Sequence, residues 1–339
     1  MSRLIDFASL PSACPVPNPL GVSGPPRKIA QEFGLGFLAK PRKFLDVRFD
    51  FDAKTVWCSM RHEHSVCWSL PLLAELNALN ADIRALYESE SFEEPPIKFF
   101  VGGSLRPGVF NMGGDLSFFV DRVRARDTEG LRHYAYACVD AIYNNYHGFD
   151  SPTVTMALLE GDALGGGLEA ALSCQFVIAE RGVNLGFPEA LFHTFPGMGA
   201  YSLVSRRLDA ARAEKLILSG RIYKAEEFFE MGLIDILAEK GEGPARARAF
   251  IAQNGKRHRL LGAVGRVRRR ISPLTIEELR DVTDIWVDSV MSLATIDLRK
   301  MEMLAWSQDR LFEQAASQRF NRPGRGSGQE KLQEEKLEA

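Results

Sequence analysis

The chain has 339 residues, 45% hydrophobic and 25% charged, enough to bury a large core. A net charge of −2 argues against a dedicated nucleic-acid binder, and there is neither an apolar run long enough to cross a bilayer nor a basic-then-apolar leader. Five scattered cysteines (Cys14, Cys58, Cys67, Cys138, Cys174) have neither CxxC nor metal-ligand spacing and fit thiols in a reducing cytoplasm.

Residues 1–41 are rich in Pro, Gly and Ser and predict an extended or poorly ordered, flexible arm that buries little apolar surface. Alternation predicts strands at Phe44–Phe51 and Thr55–Met60, joined through Asp52, Ala53 and Lys54. Leu70, Leu72, Leu73, Leu76, Leu79 and Ile83 recur at helical spacing. Ile97–Gly102 reads as a buried strand. A glycine turn follows at Phe110–Asp115, with Asp115 as the N-cap of a helix. Another helix is expected from Thr128 to about Tyr146, with Leu131, Ala135, Cys138, Val139 and Ile142 on one face.

The stretch from Thr153 to Leu208 organises the rest. An apolar, β-branched strand, Thr153–Leu159, leads to Gly165-Gly166-Gly167 and at once to a helical pattern, Leu168–Cys174. Strand, glycine turn and helix start aim free backbone N–H groups at a ligand. Glu169 falls in the first turn of that helix, and Glu189 follows Pro188; only a tertiary fold brings the two together. Val177–Ala179 is a short strand, Ala210–Leu218 and Ala225–Met231 are helices, Gly232 is a C-cap, and Ile234–Leu237 is a last strand. Beyond Gly241 the pattern is helical: Arg246–Gln253, Lys256–Arg270, Ile276–Met291 and Ala294–Ala316. The tail from Asn321 reads as solvated. The expected division is an arm (1–41), a core (42–240), a helical region (241–320) and a tail (321–339).

The run Ala163-Leu164-Gly165-Gly166-Gly167-Leu168-Glu169, followed by Pro188-Glu189, resembles the signature of the crotonase (enoyl-CoA hydratase/isomerase) superfamily. Phe110–Leu116, Gly161–Gly167, Glu169–Cys174, Phe195–Ser202 and Ile285–Asp288 resemble one branch, the bacterial diffusible-signal-factor synthases of the RpfF type. The resemblance implies an α/β crotonase fold of repeated ββα units with a helical C-terminal region. It implies Glu169 and Glu189 as the acid–base pair, with Gly166 as one oxyanion-hole donor and Met112 or Gly113 as the other. Leu164, Gly165, Met198, Trp286 and Leu304 fall where this branch binds its acyl substrate.

The activity so implied is dehydration of a 3-hydroxyacyl-acyl carrier protein, then thioester hydrolysis, freeing a cis-2-unsaturated fatty acid for quorum sensing. The alternative is an enoyl-CoA hydratase or isomerase acting on acyl-CoA. A third reading, of another class, is a protein that sequesters a signalling sensor without turnover; the intact glutamate pair argues against it. Neither a metal nor a nucleotide cofactor is implied, the acyl group riding on the phosphopantetheine of acyl carrier protein or CoA. The implied partners are acyl carrier protein, a sensor histidine kinase of the RpfC type, and further copies in a trimer or hexamer.

Lys256–Arg259 and Arg266–Arg270 are basic enough to meet an acidic carrier, but a solvated helix face accounts for them equally. His193, near Glu189, reads as a rim or packing residue. The run Leu191–Phe195 differs in detail from the branch's usual one, and the N-terminal arm is longer than the branch leads one to expect.

Overall fold

The computed structural model describes residues 34–62, 64–89 and 92–320, and within them the strand-strand-helix pattern closes into two sheets. β1 (Leu45–Asp50) and β2 (Thr55–Met60) form an antiparallel hairpin. Asp50 Oδ1 accepts from the Ala53 N–H at 3.0 Å and closes its loop. Helix α1 (Leu70–Ser89) buries Leu72, Leu73, Leu76, Leu79 and Ile83 of the stripe its spacing predicts, and Leu86 beyond it, while Leu70 is half-buried.

Three strand pairs follow: β3 (Phe99–Ser104) with β4 (Gly108–Asn111), β5 (Val154–Leu159) with β6 (Gly161–Leu164), and β7 (Phe176–Glu180) with β8 (Asn184–Gly186). The first member of each pair joins a six-stranded sheet ordered β1-β2-β3-β5-β7-β10, where β10 is Ile236–Ala238, parallel from β2 onward. The second member joins a smaller sheet, β4-β6-β8-β9, closed by β9 (Ile222–Lys224) antiparallel to β8. The large sheet is covered on both faces, which is why β5 is buried at every position. One cluster sets Phe99, Val101, Met156 and Ile178 against Phe250 and Ile251 of α8 (Gly243–Asn254).

The small sheet positions the site. Its strands have three or four residues, too few to leave a periodic signal, and the sequence reading did not find them. β4 and β6 are parallel, with Val109 opposite Asp162 and Asn111 opposite Ala163. At Gly161 the two backbones touch: a Cβ there would stand 2.1 Å from Val109 N. Only glycine permits that approach. The turns leaving the two strands therefore emerge side by side.

Helix α2 (Leu116–Ala125) starts from Asp115, whose Oδ1 accepts from the Phe118 N–H at 3.0 Å. α3 (Thr128–His147), α4 (Gly166–Ser173), α5 (Ala200–Arg207), α6 (Ala210–Ser219) and α7 (Ala225–Met231, ended by Gly232) complete the core. α9 (His258–Ile271), α10 (Ile276–Met291) and α11 (Thr295–Phe320) follow α8, with α10 against α3 and α11 against α2. Of the expected arm, residues 1–33 lie outside the described residues. Its last part is not extended but a short 3-10 helix, Leu35–Ala39, with Leu35 buried in the main core. The tail, 321–339, also lies outside them. No helix among the described residues is long and apolar enough to cross a membrane. Cys58, Cys67, Cys138 and Cys174 are buried thiols outside any disulfide.

Candidate active site

The turn after β4 sits against the turn after β6. A Cβ on Gly113 would lie 2.9 Å from Leu164 O and 3.2 Å from Gly166 N. Gly113 has φ +93°, so both space and backbone call for glycine. The amides of this turn divide sharply. The Met112 N–H donates to Val66 O at 2.9 Å, and the Gly113 N–H donates to Asn111 Oδ1 at 2.8 Å. Neither is free to meet a ligand, which moves the expected donor one residue along. Gly114 pairs with Trp68 as neighbours in a parallel bridge, in which the Trp68 N–H donates to Gly113 O at 2.8 Å. Such pairing leaves Gly114's own N–H directed away from Trp68. That N–H has no partner among the described residues, and Gly114 lines the cavity that Gly165 and Gly166 also line. Across from it, Gly166 is the first residue of α4, where an N–H has no intrahelical acceptor. Gly114 and Gly166 are thus the two amides available at this point.

One turn into α4, Glu169 is 1% exposed. Its Oε1 accepts from the Met198 N–H at 2.9 Å and the Ala200 N–H at 2.8 Å. Burial raises its pKa to about 7, against the lowering effect of these amides. The loop supplying them is braced from α10. Thr283 Oγ1 donates to Gly197 O at 2.8 Å, and Gly197 lies flat on Trp286, where a Cβ would meet the indole at 2.1 Å.

Glu189 lies in the 3-10 helix Pro188–Phe192. Its carboxylate rests on Gly165, and a Cβ on that glycine would be 2.2 Å from Oε1. Gly165 has φ +48°, so the residue beneath the carboxylate is glycine by backbone and by contact. Oε2 is buried without a hydrogen-bond partner. Burial first, then the nearby Glu169, raises the Glu189 pKa to about 8. The two carboxyls titrate as a unit, and near neutral pH they hold about one proton between them. It rests chiefly on Glu189, because Glu169 has two amides to stabilise its charge and Glu189 Oε2 has none.

Both glutamates open on one cavity of about 270 Å³. The fold brings all ten residues singled out from the sequence to its walls: Met112, Gly113, Leu164, Gly165, Gly166, Glu169, Glu189, Met198, Trp286 and Leu304. The sequence reading missed Gly114, Phe119, Phe192, Thr194, Met301 and Gln308. Phe119 meets Trp286 edge-on, with ring centroids 5.2 Å apart. Gln308 Nε2 donates to Met112 O at 3.1 Å, so α11 reaches the turn that carries Gly114. Phe119 lies on α2, a helix whose N-cap is read from Asp115, but nothing in sequence aims it at the site.

His193 Nδ1 lies 2.8 Å from Asp297 Oδ1, tying the rim of the cavity to the first turn of α11. The basic run divides: His258 is buried, whereas Lys256, Arg257 and Arg259 are exposed, and none of these lines the cavity.

Paired carboxyls beside two convergent amides, on repeated ββα units, define a crotonase-fold site. The enoyl-CoA hydratase/isomerase family profile matches residues 76–254, a span holding both glutamates and both glycine turns. The chain belongs to this family. Subunit alpha of the fatty acid oxidation complex of Pseudomonas aeruginosa (strain LESB58) is 33% identical over 127 residues, 38% of this chain but only 17% of that protein. The probable mitochondrial enoyl-CoA hydratase 2 of Arabidopsis thaliana is 28% identical over 222 residues, 65% of this chain and 66% of its own length. The solved structure of Pseudomonas aeruginosa DspI superposes with a TM-score of 0.58 at 23% identity, covering 74% of this chain and 96% of that one, a likeness of fold.

Proposed function

We propose that this protein dehydrates a 3-hydroxyacyl thioester and then hydrolyses it, as a diffusible-signal-factor synthase does. The observation that carries the reading is the pair Glu169 and Glu189, brought by the fold to one largely apolar cavity beside the Gly114 and Gly166 amides. Elimination needs a base for the C2 proton and an acid for the departing 3-hydroxyl, and a pair holding one proton supplies both. The C2–H and C3–O bonds break, the C2=C3 bond forms, and water leaves. Negative charge gathers meanwhile on the thioester oxygen. Two preorganised amides there contribute about 3–4 kcal/mol each. In the second step water adds to the same carbonyl carbon, the carbon–sulfur bond breaks, and the acid and the carrier thiol are released.

An apolar lining of Leu116, Phe119, Met198, Trp286, Met301 and Leu304 suits a medium-chain tail, each buried methylene contributing about 0.8 kcal/mol. The carrier in this reading is acyl carrier protein in the cytoplasm. A sensor histidine kinase and further copies of the chain are its partners. The family match itself favours a second reading, reversible hydration or isomerisation of acyl-CoA without hydrolysis. Incubation with 3-hydroxyacyl carrier protein and mass analysis separates the two. Free cis-2 acid supports the synthase, and a reversible trans-2 thioester equilibrium alone supports the hydratase.

A further inference from the structure

Thr194 lies in the run Leu191–Phe195 and lines the catalytic cavity. It is 9% exposed, and its Oγ1 is buried with no hydrogen-bond partner. A buried hydroxyl left unpaired is costly, and valine would fill the same volume without that cost. Its amide is tied back to the turn that carries the acid, the Thr194 N–H donating to Glu189 O at 3.3 Å. Glu189 Oε2 is unpaired as well. One short segment thus brings two orphaned oxygens, one hydroxyl and one carboxyl, to one cavity whose other walls are largely apolar. A hydroxyl both donates and accepts, and a carboxyl that carries the shared proton donates it. Together they match a single small oxygen group that accepts from one and bonds to the other.

We infer that Thr194 Oγ1 binds the β-oxygen of the substrate, the 3-hydroxyl of a 3-hydroxyacyl thioester, alongside Glu189. The same position takes the attacking water when the reaction runs in reverse. This rests on the thioester reading above and extends it: Thr194 selects acyl groups oxidised at C3 over saturated ones. The exposed rim histidine beside it, His193, is turned instead to Asp297 and takes no part.

The test is a binding ratio in the Glu169→Gln background, which stops turnover. A medium-chain 3-hydroxyacyl-pantetheine thioester is compared with its saturated counterpart of equal length by calorimetry. With Thr194 intact, the hydroxylated ligand is expected to bind about three- to tenfold tighter, the range for one net hydrogen bond. Thr194→Val should lower the ratio severalfold, leaving only what Glu189 contributes, and Thr194→Ser should keep it. An unchanged ratio in Thr194→Val overturns the inference, as does an equal loss in the serine variant, which would make the residue a packing element. If the unsubstituted enzyme turns over neither thioester but the ratio behaves as expected, the catalytic reading falls and the hydroxyl site stands. Binding of neither ligand removes both.

Discussion

A methyl group on Gly165 is the sharpest probe of the site. That carbon would stand 2.2 Å from Glu189 Oε1, whereas ordinary contact begins at 3.4 Å, so the carboxylate must retreat by about 1 Å. The backbone at φ +48° adds strain of about 1–3 kcal/mol, lowering the thermal midpoint by a few degrees. Displacing a reacting group by about 1 Å costs about 100-fold in rate. Gly165→Ala should therefore fold, melt slightly early, and lose about two orders of magnitude in kcat for hydration or dehydration, followed by absorbance of the conjugated thioester. Gly255→Ala is the control, since Gly255 has φ −55° and open space around its Cβ position, and it should leave kcat unchanged. A folded Gly165→Ala enzyme with kcat within about threefold of the parent would refute the placement of Glu189 in the chemistry, because the carboxylate cannot stay where it is.

Glu169→Gln and Glu189→Gln should each lower the dehydration rate by about 100-fold or more, measured by product formation from a 3-hydroxyacyl thioester; near-normal turnover in both would end the acid–base assignment. The pH profile of kcat/KM should be bell-shaped with its maximum between about 7 and 8. Below it both carboxyls are protonated and above it both are ionised; a flat profile across that window counts against a shared proton. Stability should move with pH in a defined sense. Both carboxyls bind protons more tightly folded than at their ordinary value of 4.5, so this contribution is full below about 4.5 and lost as pH rises through about 8. Urea unfolding at several pH values should show that decline, flattened in Glu189→Gln. Trp286→Ala should cost about 3–5 kcal/mol by opening the cavity floor and releasing Gly197. Its thermal midpoint should fall and its acyl preference shift towards longer chains, read by competition between substrates.

The sequence by itself determined the long elements and the family. The stripe from Leu72 to Ile83, the buried run to Leu159 and the helix from Ile276 to Met291 carry their period in the chain, because each is long enough to repeat. Glu169 and Glu189 were legible through a local motif, Gly165 to Glu169 and Pro188-Glu189. The tertiary structure alone decided which amides are free. The resemblance points to Met112 or Gly113, yet the N–H groups of these two are taken by Val66 O and Asn111 Oδ1, which leaves Gly114. That choice depends on a register between the segment at Val66–Trp68 and the turn after β4, set by contacts distant in sequence. The same holds for the small sheet, whose strands are too short to announce themselves, and for Thr194, whose missing partner shows only once its neighbours are in place. Local pattern is written residue by residue along the chain; hydrogen-bond satisfaction depends on groups that only folding brings into reach.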